Sequence, residues 1–247
     1  QTDKNMDLAK KYKKHTHREH ILEIPDTYIG SIDHVTEEMW YYNGETDDKL
    51  DEGKGEGDKV HSLGEQASMV CGDLTIVPGL YKIFDEILVN ARDHVVRLFS
   101  KKIEQRDTKI NLVSTIKVTI DEESGLVTVY NDGDGISTDI HQKEKIHIPQ
   151  LIFGELLTSS NYKKDEKKIV GGKNGYGAKL TNIFSEEFCI ETVDSKTGLK
   201  FRQVYYDNMS KMTNPKITKY DKEPYTKISF IPDYKRFKLD NITDNII

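Results

Sequence analysis

Pro78-Gly79-Leu80-Tyr81-Lys82-Ile83-Phe84-Asp85-Glu86-Ile87-Leu88-Val89-Asn90-Ala91 carries two patterns at once, and the reading of the whole chain starts from them. Pro78 and Gly79 punctuate a helix start. Ile83, Phe84, Ile87, Leu88, Ala91 and Val95 then recur at the three-to-four spacing of one buried face, which predicts a helix from about Leu80 to Ser100. A polar stripe runs beside that face. Glu86, Asn90 and Asp93 stand at i, i+4 and i+7, so a carboxylate, an amide and a second carboxylate share one side. An Asn carbonyl together with phosphate oxygens suits Mg²⁺, which takes oxygen ligands and keeps several waters. A carboxylate one turn away can orient a water for attack on phosphorus. The same spacing also describes an ordinary solvated helix face, so the stripe gains meaning only from its companions.

Two companions follow in the chain. Tyr130-Asn131-Asp132-Gly133-Asp134-Gly135-Ile136 leaves an alternating strand, and its two glycines let backbone approach a flat ligand closely. Asn131 offers both an acceptor and a donor at the strand end, as recognition of an adenine edge requires. Gly171-Gly172-Lys173-Asn174-Gly175-Tyr176-Gly177-Ala178-Lys179 places four glycines ahead of a helix start, where successive N–H groups and the helix dipole form a phosphate cradle. It lacks the Gly-Lys-Ser/Thr ending of a Walker loop, which disfavours a P-loop NTPase. The lysines between Lys163 and Lys179 fit the surroundings of a triphosphate, and the glycine-rich stretch fits a lid.

Outward from these motifs the chain reads as α+β. Asp7 to Lys14 is helical in composition, Pro25 to Ser31 is a tight loop, and Val35 to Tyr42 is expected as a strand carrying the only tryptophan, Trp40. Ile116, Val118 and Ile120 alternate, Asp121 to Gly125 turns, and Val127 and Val129 alternate again, a hairpin pattern. A short helix is expected over Pro149 to Leu157 and another from Gly177. Strands are expected over Phe188–Val193, Leu199–Tyr206, Ile217–Tyr220 and Thr226–Ile231. Helices followed by strands, without regular βαβ alternation, predict a sandwich: a mostly antiparallel sheet with helices packed on one face.

Composition narrows the class. The chain has 247 residues, a formal net charge of −6 and 32% charged side chains of both signs, which describes a soluble domain with ample core. Nine acidic residues and three lysines between Asn43 and Asp73 account for the entire −6, so this stretch reads as a solvated insertion and the rest is balanced. Gln1 to Arg18 is polar and basic, without a signal-peptide pattern, and no apolar run approaches a membrane span. Cys71 and Cys189 have no metal-ligand spacing and read as reduced thiols of an intracellular protein. His15, His17 and His20 lack partners at finger spacing and read as an exposed helix face.

Taken in order, the motifs resemble those of the GHKL (Bergerat-fold) ATPases, and most closely the N-terminal ATPase region of eukaryotic-type type IIA DNA topoisomerases. The resemblance rests on Glu19-His20-Ile21-Leu22, Pro25 to Ser31, Pro78 to Ala91, Leu156-Leu157-Thr158-Ser159-Ser160-Asn161-Tyr162, Gly171 to Leu180 and Asn182-Ile183-Phe184-Ser185. It implies ATP and Mg²⁺ as cofactors, with Glu86 as general base and Asn90 as the Mg²⁺ ligand. Asn131 matches the adenine-reading position and Thr226 the threonine supporting that pocket. Asp93 and His94 belong to the nucleotide site, Ser159, Ser160 and Asn161 to its ribose and phosphate contacts. Gly172, Lys173, Asn174, Gly175, Tyr176, Gly177, Ala178 and Lys179 match the phosphate loop, and Tyr12 falls where an N-terminal strap reaches the partner's nucleotide.

The resemblance further implies residues 1–20 as a strap and 21–247 as the ATP-binding domain with an acidic loop over 43–73. A transducer and the DNA-cleavage domain are expected beyond this stretch, and with them the lysine that contacts the γ-phosphate, so slow hydrolysis is expected of these residues alone. It implies a homodimer closing through an ATP-dependent N-gate, duplex DNA as partner of the whole enzyme, no membrane, and a nuclear or viral-replication address according to source. Another GHKL ATPase and a non-hydrolysing dimerisation module are the alternatives. Two positions depart from the family pattern. His94 replaces an asparagine and would make a contact that titrates near neutrality. Asp132 replaces an asparagine and adds negative charge beside Asn131.

Overall fold

Helix α1 (His17–Glu23) begins on a capping box, in which Glu19 N donates to Thr16 Oγ1 (3.2 Å) and Thr16 N donates to Glu19 Oε2 (2.8 Å). The computed structural model describes residues 15–43, 68–106, 109–156 and 176–242. The charged helix expected over Asp7 to Lys14 lies outside them. The described helix runs through Ile21, which the sequence reading placed after a helix end, because Thr16-x-x-Glu19 supplies the start signal and fully buried Ile21 anchors the segment in the core. After a 3₁₀ turn (Pro25–Thr27) the chain reverses at Gly30, whose φ is +84°. Gly79 N donates to Ser31 O (2.8 Å), and a Cβ there would stand 3.0 Å from Ile29 Cδ1, so Gly79 lets the loop seat tightly on the next helix.

Strands β1 (Val35–Asn43) and β2 (Ser68–Ile76) pair antiparallel as a separate ribbon, Val35 opposite Ile76 and Asn43 opposite Ser68. This corrects the expected insertion over 43–73. Ser68 to Asp73 is strand, and only 44–67 falls outside the described residues. The acidic window takes in Val70 and stops short of Leu74 and Ile76, and these alternate half-buried positions mark one face of the ribbon.

Helix α2 (Pro78–Gln105) spans 28 residues, longer than expected at both ends, and buries Leu80, Ile83, Ile87, Ala91 and Leu98. The main sheet contains β3 (Ile116–Asp121), β4 (Leu126–Asp132), β5 (Ser185–Asp194), β6 (Leu199–Tyr206), β7 (Lys211–Met212), β8 (Lys216–Lys219) and β9 (Tyr225–Pro232). Its seven strands run in the order β3-β4-β9-β5-β6-β7, with β8 also on β6, and every pairing is antiparallel. One face contributes Val127, Val129, Phe188, Ile190, Phe201, Ile228 and Phe230 to the core. Helices α3 (Ile148–Gly154) and α4 (Gly177–Ile183) complete the layer with α2, as the α+β expectation required. Buried polar bonds fix the helices to one another: Thr181 Oγ1 donates to Ile83 O (2.7 Å) and Asn182 Nδ2 to Phe153 O (3.0 Å). The sheet's other face centres on Glu191. Its carboxylate accepts from Tyr225 OH (2.5 Å) and faces Lys227 (3.3 Å), Lys200 (3.9 Å) and Arg202 (3.9 Å).

Candidate functional site

A cavity of about 400 Å³ opens between α2 and the middle of the sheet. Ile87 and Ala91 from the helix and Val129 and Ile228 from β4 and β9 give it apolar walls a flat ring can enter, and Asn90, His94, Asn131 and Thr226 supply polar groups. Asn131 and Thr226 are register partners on β4 and β9, and Thr226 is in turn opposite Thr192 on β5, so one transverse row of the sheet carries all three. Asn131 is buried and its Nδ2 donates to Asp132 O (2.7 Å), which leaves Oδ1 as the acceptor for an incoming amino group. Thr226 and Thr192 hydroxyls lie 2.8 Å apart, and Thr192 also accepts from Ile136 N (3.0 Å) and donates to Tyr225 O (3.1 Å). Thr192 escaped the sequence reading, since only strand register brings it beside Thr226.

Gly135 of the Asp132–Ile136 turn has a packing role that the spacing alone does not state. Gly135 has φ +68°, and a Cβ there would overlap the Val193 carbonyl. It therefore permits the turn to pass against β5, where Ser195 N donates to Asp134 O (3.0 Å), while Gly135 also lines the cavity. Asp132 faces outward: Ser114 N (2.8 Å) and Thr115 N (3.0 Å) donate to Oδ1 and the Ser114 hydroxyl to Oδ2. Partial burial acts to raise its pKa, but these hydrogen bonds prevail and lower it. Its charge is thus spent on the 114–115 backbone, not added to the cavity as the sequence suggested.

The stripe on α2 divides. At about 100° per residue, Asn90, His94 and Arg97 follow the cavity side while Glu86 and Asp93 fall outside it. Asn90, His94 and Arg97 line the cavity; buried Asp93 does not, and its Oδ1 lies 3.3 Å from Arg92 Nη1. Glu86 lies beyond the margin, between Lys82 and α4. Lys82 Nζ is 2.6 Å from its Oε1, and a Cβ on Gly177 would overlap its Oε2. The hydrogen bond to Glu86 raises the Lys82 pKa against a smaller opposing effect of burial.

His94 corrects an expectation. Arg97 Nη2 stands 2.6 Å from His94 Nδ1, and a guanidinium only donates, so the imidazole carries its proton on Nε2. Burial, then the Arg97 charge, push its pKa down to about 4, with Asp134 acting the other way. The ring is neutral at pH 7, and its buried Nε2 has no hydrogen-bond partner among the described residues.

From the phosphate loop, Tyr176, Gly177, Ala178 and Lys179 are described. Ala178 and Lys179 are buried in α4, and burial pushes the Lys179 pKa down to about 8 against the pull of Glu155. Tyr176 meets His17 of α1 edge-on at 5.7 Å, a contact between the N-terminal helix and the loop that no motif announces. Tyr12, Ser159, Ser160, Asn161, Gly172, Lys173, Asn174 and Gly175 lie outside the described residues. Among those described, no cluster of three or more His, Cys, Asp or Glu could hold a metal ion. Asn90 presents a single neutral amide at the cavity wall, a donor that fits Mg²⁺ arriving with phosphate oxygens and waters and does not fit a metal held by protein alone.

Residues 75–206, more than half of the chain, match the family described as histidine kinase-, DNA gyrase B- and HSP90-like ATPase. The chain is 46% identical over 242 residues to DNA topoisomerase 2 of Meyerozyma guilliermondii, covering 98% of this chain and 15% of that protein. It is 46% identical over 240 residues to DNA topoisomerase 2 of Acanthamoeba polyphaga mimivirus, covering 97% and 17%. Its fold is similar to the ATPase region of Saccharomyces cerevisiae topoisomerase II, with TM-score 0.77, 46% identity, and 96% of this chain and 55% of that one covered. The 43K ATPase domain of Thermus thermophilus gyrase B, at 18% identity and TM-score 0.56 over 92% of this chain and 42% of that one, shares the fold. The chain therefore spans about 15% of the length of these curated relatives.

Proposed function

The chain belongs to the ATPase region of the DNA topoisomerase II family, and on that footing we propose that its cavity binds Mg·ATP for hydrolysis that drives a dimer gate. The adenine ring enters between Ile87 and Ala91 on one side and Val129 and Ile228 on the other, and its amino group donates to Asn131 Oδ1 beside Thr226. Asn90 would hold Mg²⁺ arriving with the nucleotide, and the metal would supply neutralisation of phosphate charge. Glu86, one turn back on α2, takes the proton of the attacking water. Ser159, Ser160 and Asn161, together with the loop from Gly172 to Lys179, contact ribose and phosphates. His94 adds an Nε2–H donor and Asp93 flanks the site.

In the whole protein, residues 1–20 act as a strap that carries Tyr12 to the partner's nucleotide, and 21–247 form the ATP-binding domain. ATP binding closes a homodimer around duplex DNA, and hydrolysis resets it. The proposed setting is intracellular, in the nucleus or at a viral replication site. Among the described residues no helix is long and apolar enough to cross a membrane.

One observation carries this reading: a buried Asn131 whose own N–H is bound to backbone leaves an acceptor at the floor of an apolar slot, with Asn90 on the facing helix. The test is a titration with a non-hydrolysable ATP analogue and Mg²⁺, set beside steady-state hydrolysis by the full-length protein. Asn131→Ala should weaken analogue binding, and Asn90→Ala should remove its Mg²⁺ dependence. Glu86→Gln should abolish turnover while retaining binding. Undiminished turnover in Glu86→Gln would refute the assignment of the base.

A further inference from the structure

The Glu86 carboxylate is held from two sides. Lys82 Nζ takes Oε1 at 2.6 Å from one turn back on α2, while Oε2 occupies the space a side chain at position 177 would need. Among the described residues Asp85 is the other charged group at Lys82, at 3.6 Å, so the ammonium is shared unequally in favour of Glu86. Helix stability does not account for the pair. Lysine N-terminal to glutamate is the weaker of the two i,i+4 orders, and exposed pairs contribute little in any case. The pair does something else: it selects a rotamer. A glutamate near a helix margin otherwise samples many side-chain states. Here one oxygen is bound to a cation and the other is pressed toward the start of α4, where the phosphate-loop motif ends.

We propose that Lys82 is a positioning residue for ATP hydrolysis, which binds Oε1 of Glu86 so that Oε2 alone is presented to the attacking water. The inference rests on Glu86 being the base. Lys82 itself touches neither nucleotide nor metal in this scheme; it acts through Glu86, and the glycine at 177 leaves room for the oxygen it presents. Loss of the pair frees the carboxylate to turn, and misplacement of a reacting group by about 1 Å can cost up to about 100-fold in rate.

The experiment measures steady-state hydrolysis by the full-length protein together with the Kd of a non-hydrolysable ATP analogue. Lys82→Met should lower kcat about tenfold or more with analogue Kd unchanged within about twofold, because ground-state binding does not use Glu86. Lys82→Arg, which restores a cation at similar reach, should recover most of the rate. In a Glu86→Gln background, Lys82→Met should change nothing further. The proposal is overturned if Lys82→Met keeps kcat within about twofold of wild type while Glu86→Gln alone is inactive, which removes the role of Lys82 and leaves the base in place. It is overturned equally if Kd weakens in step with kcat, as a merely structural role would require. Full turnover in Glu86→Gln alone would instead remove the base, a separate failure.

Discussion

Replacing His94 by asparagine removes the one imidazole on the cavity wall and tests whether the buried ring is neutral. Its ordinary pKa of 6.5 falls to about 4 in the folded chain, chiefly through burial and then through Arg97. A depressed base binds fewer protons folded than unfolded between those values. The folded state is therefore favoured above pH 6.5 and loses that advantage as pH falls toward 4. The full window corresponds to about 3 kcal/mol, since each unit is worth about 1.4 kcal/mol. Between pH 7 and pH 5, which lies inside the window, the loss amounts to about 2 kcal/mol. Urea unfolding of wild type and His94→Asn at both pH values isolates this amount, because every other titration is common to the two proteins. Wild type should lose about 2 kcal/mol more than the variant on going from pH 7 to pH 5. An equal loss in both proteins would refute the reasoning, as would a direct NMR titration of the His94 ring centred near 6.5.

Gly177→Ala places a methyl group where Glu86 Oε2 now sits; hydrolysis should fall at least about tenfold, and unchanged turnover would contradict the contact. Glu191→Gln leaves Lys200, Arg202 and Lys227 without their common carboxylate and should cost about 1–3 kcal/mol at pH 7 in chemical denaturation. Burial works to raise the Glu191 pKa, but Tyr225 and the lysines hold it below its ordinary 4.5. The deficit should therefore be complete above that value and shrink as acid protonates the wild-type carboxylate, and a deficit of the same size at pH 3 would exclude this origin. Thr16→Ala removes the cap of α1 and should cost about 1 kcal/mol, seen as faster hydrogen exchange at the α1 amides; unaltered exchange there would mean that Ile21 alone holds the helix.

The legible parts of the chain were those whose cause is local. The apolar period of α2, the β3–β4 alternation and the Gly-Asp-Gly turn depend on neighbours within a few positions, and each appears with small shifts at its ends. Strand β2 was hidden because nine carboxylates in one window set the reading, while its Val70, Leu74 and Ile76 gain their meaning only from pairing with β1. The stripe on α2 was found but read as a single line. At about 100° per residue Asn90 stands about 40° from Glu86 and about 60° from Asp93, enough to keep Asn90 on the cavity wall while the two carboxylates fall away from it. The neutrality of His94 and the outward bonding of Asp132 depend on Arg97 and on residues 114–115, so no spacing rule could state them.

In the proposed scheme, reading of the adenine amino group and activation of the attacking water draw on different layers of the fold. Asn131, Thr226 and Thr192 form one row of the sheet, and their relative placement follows from β4–β9–β5 register. Glu86 and Asn90 belong to α2, whose distance from that row is set by packing and by bonds such as Thr181 Oγ1 to Ile83 O, not by the sheet. A perturbation of the row should therefore act on nucleotide affinity, and a perturbation of the α2–α4 contact on turnover. Gly135 belongs to the first kind: a Cβ there would meet the Val193 carbonyl and displace the turn that carries Ile136 N to Thr192. Gly177 bears on the second, because its missing side chain makes room for Glu86, the proposed base. Two glycines that look interchangeable in sequence thus bear on different parts of the proposed reaction, one by admitting backbone to a strand and the other by admitting a carboxylate to a helix start.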